Sequence, residues 1–377
     1  MNKTRIVLAS VLKPINDTRM FEKLGLSLAK LSTAEIHVVG FQAPLPVATA
    51  IIFFHPIFRF KRLGLGRILA SFRFYKLLWQ LAPQIIIIST HELLLAGLFY
   101  KLFRSCRLVY DVRENYYLNL TSQKVYPRLI SYLLAFIIRF TEYLAAPFIT
   151  CFFLAEKSYA TELTFIRQKY LVLENKYKPE TTETIYTPPT AGKKLSSDQI
   201  NMLYSGTISE IYGIFRAINL CKALNQIAPI FKLTIIGYCP QPSVLVKIKN
   251  EIKNYPFITL IGGDYLIPHA QIVAAIQKSH LGLLPYQPHI STFSCIPTKL
   301  FEYLGHALPV IAQQNPLWHE LIQQHEAGVS INYNNFQAED LYQNICNRTF
   351  YRNANVATVL WEAEEKKLLA WARTTIL

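Results

Sequence analysis

The chain is predicted to be an α/β protein of two doubly wound, Rossmann-like domains, and three observations predict it. Short continuous apolar runs alternate with longer segments of helical period through both halves of the sequence. A polar stretch, "KPETTETIYTPPTAGKKLSSD", separates the two alternating series. At 377 residues, 51% of them hydrophobic, the chain exceeds one ordinary core and has enough apolar surface for two.

In the first half, strands are expected at 5–10, 36–40, 84–89, 107–112 and 149–154. Helices are expected at 19–31, 92–103, 126–145 and 156–165. The strands are unbroken apolar runs, as in "IIIIST", and such runs suit a parallel sheet covered by helices on both faces. The second series begins with a strand at 202–205 and a helix at 212–227, and continues with strands at 232–236, 258–261 and 281–284. Its helices fall at 244–254 and 270–278, and it ends on "CIPTKLFEYLGHALPVIA", read as a helix from Pro297 to Gly305 and a strand at 308–312. The boundaries that follow are 1–178 for the first domain, 179–199 for the linker, 200–355 for the second domain and 356–377 for a closing helix.

Charge is uneven. The net charge is +15, and residues 1–178 carry 24 of the 39 Lys and Arg but only 10 of the 24 Asp and Glu. No acid occurs between Glu35 and Glu92, while Arg59, Lys61, Arg62, Arg67, Arg73 and Lys76 lie among Phe60, Phe72, Phe74 and Trp79. Such a patch suits an anionic membrane, nucleic acid or plain solvent. Nucleic acid is set aside, because no recognition motif accompanies the patch. The first domain is therefore expected to meet an anionic membrane surface.

No membrane-spanning segment is expected: "LISYLLAFII" is bounded by Arg128 and Arg139, half the length a bilayer requires. The six cysteines show no CxxC and no ligand spacing, so they are read as reduced packing residues of a cytoplasmic protein without a metal site.

In doubly wound sheets ligands bind beyond the carboxyl ends of the strands, so polar residues there are the candidates. In the first domain these are Lys13, Asp17, Arg19, His91, Glu92, Asp111, Arg113 and Glu114. In the second they are Ser205, Gly206, Thr207, Gly237, Gly262, Gly263, Asp264, Tyr286 and the run from Ser294 to Glu302. Both sets are expected to line one central cleft. Lys299 and Glu302 sit three apart on one face of a short helix. An exposed ion pair at that spacing is worth only about 0.2–0.5 kcal/mol, so the helix start is read as addressing an anion and a polyol.

The motifs "LYSGTISEIYGI", "KLTIIGYC", "ITLIGGDYLIPHAQIV", "GLLPYQP" and "IPTKLFEYLGHALPVIA", in this order, resemble the nucleotide-sugar half of GT-B glycosyltransferases of family 4. "DTRMFEKLGLSLAK" and "LVYDVRENYY" are similar to that family's acceptor-domain signatures, and "VLWEAEEKKLLAWARTTIL" to its returning helix. The resemblance implies a retaining, metal-independent sugar transfer in cell-surface polysaccharide biosynthesis, from a UDP- or GDP-sugar to a glycan or polyprenyl-linked acceptor. The donor is a co-substrate, and no other cofactor is implied.

Carried over, Glu302 accepts the ribose hydroxyls, and Pro297, Thr298, Lys299 and Leu300 open the helix that meets the diphosphate. Gly206 and Thr207 allow close backbone approach, and Gly262 and Gly263 border the base. Asp111, Arg113, Glu114 and Lys299 are the catalytic candidates. The chain departs from the family at Ser294, Thr207 and Tyr212, where many relatives carry an acid, an Arg and a Lys, and at Arg113, where many carry a His. Two other readings follow from the same residues: a non-catalytic partner subunit, and a nucleotide-sugar epimerase of the same fold.

Overall fold

The computed structural model describes residues 3–46, 50–60, 64–122, 126–167, 169–179, 192–195, 198–290, 292–352 and 354–376. The chain divides into two compact units, Met1–Lys178 with Trp361–Leu377, and Pro179–Leu360. Most of the expected linker, 180–191 and 196–197, lies outside the described residues, as do Lys61 and Arg62.

In the first unit β1 (Thr4–Pro14) leads through a π-helical segment, Thr18–Gly25, and α1 (Leu26–Leu28) to β2 (Ala34–Phe41). β3 (Ile52–Phe58), α2 (Ile68–Leu81), β4 (Ile85–Ile88), α3 (Leu94–Phe103) and β5 (Arg107–Val112) follow. α4 (Tyr116–Ser122), α5 (Arg128–Ala145), β6 (Cys151–Leu154), α6 (Tyr159–Glu162) and β7 (Tyr170–Val172) complete the series. The strands are all parallel, in the order β3-β2-β1-β4-β5-β6-β7, so the winding reverses between β1 and β4. Ile6, Leu8, Ile36, Val38, Ile85 and Ile87 share one core on one face of this sheet. The alternate residues Ile88 and Leu108 meet α3, and a Cβ on Gly97 would come within 2.7 Å of the Ile88 side chain. Only glycine lets α3 lie that close.

Three features differ from the sequence expectation. β3 was hidden by Pro56, which a strand at the edge of a sheet tolerates because one row of its amides pairs with nothing. α2 lies inside the basic-aromatic segment. The helix expected at 19–31 is largely π-helical, and Asp17 caps it by accepting from the Met20 amide at 2.9 Å. In addition, the apolar helix counts from Arg128 to Phe148 and by length and composition alone is sufficient to cross a membrane, so the ten residues between its arginines understate it.

The second unit runs β8 (Ile200–Thr207), α7 (Ile214–Ile227), β9 (Phe231–Tyr238), α8 (Pro242–Ile252), β10 (Ile258–Gly263) and α9 (His269–Gln277). β11 (Leu281–Leu284), α10 (Thr298–Gly305), β12 (Val310–Gln313), α11 (Pro316–Gln324), β13 (Gly328–Ile331) and α12 (Ala338–Asn347) follow. Its six parallel strands are ordered β10-β9-β8-β11-β12-β13, reversing between β8 and β11. α7 buries Ile214, Ala217, Ile218, Leu220, Cys221 and Leu224 against this sheet, an apolar stripe at helical spacing.

The last helix, α13 (Trp361–Ile376), belongs to the first unit, where Trp361, Leu368 and Ala372 join the core containing Leu24 and Leu28. Trp361 Nε1 donates to Ser27 Oγ at 2.9 Å, and Ser27 Oγ donates to Glu365 at 2.7 Å. Buried Glu364 is paired with Lys176 at 2.7 Å and Lys367 at 2.8 Å, which compensates for the desolvation of its charge. All six cysteines are free, and four of them are buried.

Candidate functional site

The second unit gathers its candidates at the switch point between β8 and β11, where an open α/β sheet leaves a crevice. Neighbouring strand ends there are glycines in register: Gly206 of β8 pairs with Gly237 of β9, which pairs with Gly262 of β10. All three have positive φ, and a Cβ on Gly237 would come within 1.7 Å of the Gly206 carbonyl oxygen. The strand ends therefore present bare backbone. Gly263 continues this row against Leu245.

Beside this row α10 begins, with Pro297 as its cap rather than its first helical residue. The Thr298 and Lys299 amides, the first two of the helix, lack intrahelical acceptors by geometry, and the helix places roughly half a positive charge there. A cavity of about 250 Å³ opens at this end, lined by Thr207, Tyr212, Tyr286, Thr292, Cys295 and residues 297–299. Lys299 reaches back across the cavity, and its Cε would lie 2.5 Å from a Cβ on Gly206. The absence of a side chain at Gly206 is what makes room for the lysine.

The Lys299 ammonium sits 5.1 Å from the Tyr204 ring centroid, 5.7 Å from that of Tyr212 and 5.8 Å from that of Tyr286. Cation–π attraction holds it there. Burial nevertheless pushes its pKa down to about 8, against the upward pull of Glu302. Burial raises the pKa of Tyr204 and Tyr286, so both remain neutral and keep their π faces for the cation. Arg216 donates to the Tyr286 carbonyl at 3.1 Å and to Gln313 at 3.4 Å, so it supports the tyrosine wall.

One turn along α10, Glu302 Oε1 lies 2.6 Å from Nε2 of His269, the first residue of α9. His269 was not singled out from sequence. Its signal was the Pro-His start of a helix, but nothing in a single chain links it to a glutamate so far away. Ser294 is half-buried in the turn before α10. Leu300 must be corrected: its side chain is fully buried and its amide donates to the Pro297 carbonyl at 2.9 Å, so it packs the helix and offers nothing to a ligand.

In the first unit the candidates also gather at the switch point, after β1, β4 and β5. Asp111 is fully buried, accepting from Arg19 at 2.6 Å and from Ser89 at 3.1 Å. Enclosed in this way it is a strut between strand ends, and the expectation of a base open to an acceptor is corrected. Arg113 pairs with Asp17 at 2.8 Å. Burial opposes that pair's charges, but the mutual attraction prevails, raising the Arg113 pKa and lowering that of Asp17. Glu114 is half-buried and accepts from Asn119 at 3.2 Å. Lys23 donates to Asn175 at 2.6 Å, and burial with Arg19 and Arg113 nearby pushes its pKa down to about 7. Among the described residues no group of three or more His, Cys, Asp or Glu is placed to hold a metal ion.

No protein-family model matches the chain, and no curated protein does. Solved structures match it along nearly its whole length. The structure is similar to sucrose-phosphate synthase from Thermosynechococcus elongatus, with a TM-score of 0.69 at 12% identity over 100% of this chain and 99% of that one. It is similar to HepE of Anabaena in complex with UDP and glucose, with a TM-score of 0.61 at 12% identity over 98% of this chain and 100% of that one. It is also similar to a protein described as a UDP-N-acetylglucosamine 2-epimerase from Listeria monocytogenes, with a TM-score of 0.59 at 13% identity over 99% of this chain and 97% of that one. At such identities the likeness speaks for the fold alone. The chain has the GT-B glycosyltransferase fold.

Proposed function

We propose that this protein is a glycosyltransferase that moves a sugar from a nucleotide donor to a hydroxyl of a glycan or polyprenyl-linked acceptor. The observation that carries the reading is the Lys299 arrangement. A cation held by three tyrosines, over a glycine strand end and beside free helix amides, is a receptor for a diphosphate. Glu302 then lies one turn away for the ribose, with Oε1 oriented by His269 and Oε2 left to accept hydroxyl protons. Gly262 and Gly263 border the base. Similar structures fit this reading, since HepE is described in complex with UDP and with UDP-glucose.

In this reading the leaving diphosphate gains its stabilisation from Lys299 and the α10 amides, so no metal is required. Retention of configuration is supported by the sequence resemblance. Arg113 and Glu114 are the acceptor-side candidates, Arg113 as a fixed cation and Glu114 as the partly accessible carboxylate. A nucleotide-sugar epimerase is the second reading, favoured by the similarity to the Listeria protein.

Calorimetry with UDP, GDP and their sugars tests the donor site. A nucleoside diphosphate is expected to bind and to stabilise the fold by about 2.7 kcal/mol at a hundred times its dissociation constant. If none binds, the donor reading fails. Incubating the bound donor with and without polyprenyl-diphosphate acceptors then separates the two enzymes, since an epimerase alters the sugar without acceptor. A partner subunit would bind nucleotide and turn over with neither.

A further inference from the structure

Helix α5 is built inside out. The stripe it buries is mostly small or polar, namely Ser131, Ala135, Glu142 and Ala145, with Ile138 as its large apolar member. The face it presents to solvent is large and apolar: Leu129 is 84% exposed, Leu133 58%, Phe136 64% and Phe140 59%. The same surface continues onto the neighbouring helices, because α3 packs between α2 and α5. α3 adds exposed Phe99 and Phe103, and α2 adds exposed Phe72 and Trp79. Between α2 and α3 lies an apolar groove of about 370 Å³, lined by Ser71, Phe72, Tyr75, Leu95, Ala96 and Phe99. Isolated exposed hydrophobics are ordinary, but a continuous three-helix face of this kind marks a surface made for a partner.

The charges choose the partner. Arg73 and Lys76 on α2, Arg104 after α3 and Arg128 at the start of α5 are exposed around the apolar residues. The only acid on α2, α3 and α5 is Glu142, which is buried. A second copy using the same face would set cation against cation. An anionic bilayer meets both the apolar surface and the cations. The expected electrostatic contact thus gains an apolar partner and a new position, since Arg67 is ion-paired with Glu92.

We infer that the α2–α3–α5 face docks the first unit onto an anionic phospholipid surface, with α5 lying in the interface rather than crossing it. Arg139 and Glu142 decide against crossing. Glu142 accepts from Tyr110 of β5 at 3.0 Å and pairs with Arg139 at 3.3 Å, while Arg139 also donates to Asn115 at 2.9 Å. A spanning α5 would have to abandon these contacts and carry both groups into hydrocarbon. An amphipathic helix in the interface sinks roughly 5–10 Å and keeps them against the sheet. The inference is independent of the donor reading, which concerns the other unit.

The test is co-sedimentation of the full chain with phosphatidylcholine vesicles that contain or lack phosphatidylglycerol. The protein is expected to bind the anionic vesicles at least tenfold more tightly, and less tightly as salt is raised. Changing Arg73, Lys76 and Arg128 together to Gln is expected to weaken that binding roughly 100-fold, at about fivefold per charge. Changing Leu133, Phe136 and Phe140 together to Ser is expected to abolish it, with unchanged circular dichroism and Tm because these side chains are exposed. Brominated lipid is expected to quench Trp fluorescence in the parent and markedly less in Trp79→Phe. Equal binding to both vesicle types, or binding to neither, overturns the inference. A parent dimer that the Leu133, Phe136 and Phe140 changes convert to monomer assigns the face to a second copy. Resistance of the membrane-bound protein to alkaline carbonate extraction would show that α5 crosses instead.

Discussion

α5 and α7 are similar amphipathic helices lying on parallel sheets, yet they face opposite ways. α7 turns Ile214, Ile218, Leu220 and Leu224 to its sheet. α5 turns Ser131, Ala135, Ile138 and Glu142 to its sheet and leaves Leu129, Leu133, Phe136 and Phe140 outside. Burial of apolar surface is the main stabilising term in folding, so α7 is explained by the fold and α5 is not. The comparison separates a helix whose apolar face is covered by its own sheet from one whose apolar face the fold leaves open.

The largest expected effect tests that contrast directly. Ile218→Ala should destabilise the second unit by about 2–5 kcal/mol, as large-to-small core changes do. Phe136→Ala should stay within about 0.5 kcal/mol, as surface changes do. Denaturant unfolding of both variants checks it, and a comparable loss for Phe136→Ala would remove the distinction.

Next comes Lys299→Met. Nucleoside diphosphate affinity should fall at least about 100-fold, with the loss of a charge-assisted contact and of the site's cation. Stability should rise, because the folded lysine titrates near 8 and the unfolded one near 10.5. The unfolded chain therefore binds more protons between those values. In the parent, stability climbs as pH rises through that window, with the full cost of the buried charge present below pH 8. The Met variant should lack this slope and gain about 1–3 kcal/mol at neutral pH. A variant that loses both affinity and stability would indicate a structural lysine.

Glu302→Gln should cost about 1.5–3 kcal/mol in nucleotide binding, roughly 10- to 150-fold, with vesicle binding unchanged. Unaltered affinity in a folded variant removes the ribose assignment. The smallest effect belongs to Glu142→Gln. Burial raises the Glu142 pKa to about 7, although Arg139 and Tyr110 pull it down. The folded state therefore holds a proton that the unfolded chain releases near 4.5, and this stabilisation is lost as pH rises from there through 7. The Gln variant should flatten that part of the pH–stability curve.

Much of this was legible in the chain. Runs such as Ile85 to Ile88 could only be strands buried on both faces, and Pro297 with Gly305 bounded α10 to within a residue. Lys299 and Glu302 stood out because their spacing served no evident structural purpose. Other features were not legible, for identifiable reasons. The 3.6-residue period shows that α5 has two faces but not which one meets the sheet. Pro56 disguised β3 until its position at the sheet edge was known. Asp111 looked like a strand-end base, and only its enclosure by Arg19 and Ser89 shows it to be a strut. His269 meets Glu302 through tertiary structure alone.

The closing of the first unit by α13 has a consequence for how the protein is made. Trp361, Leu368 and Ala372 complete a core whose other members end with Leu173, so the second unit is an insertion within the first. A ribosome adding about 5–20 residues per second needs on the order of 10–40 s to deliver that insertion. Throughout that interval the nascent first unit exposes the apolar face around Leu24 and Leu28 as well as the outer face of α5. The risk of misassembly during synthesis is therefore concentrated in this unit, and early contact with a bilayer would shield one of its two exposed faces while the other awaits its last helix.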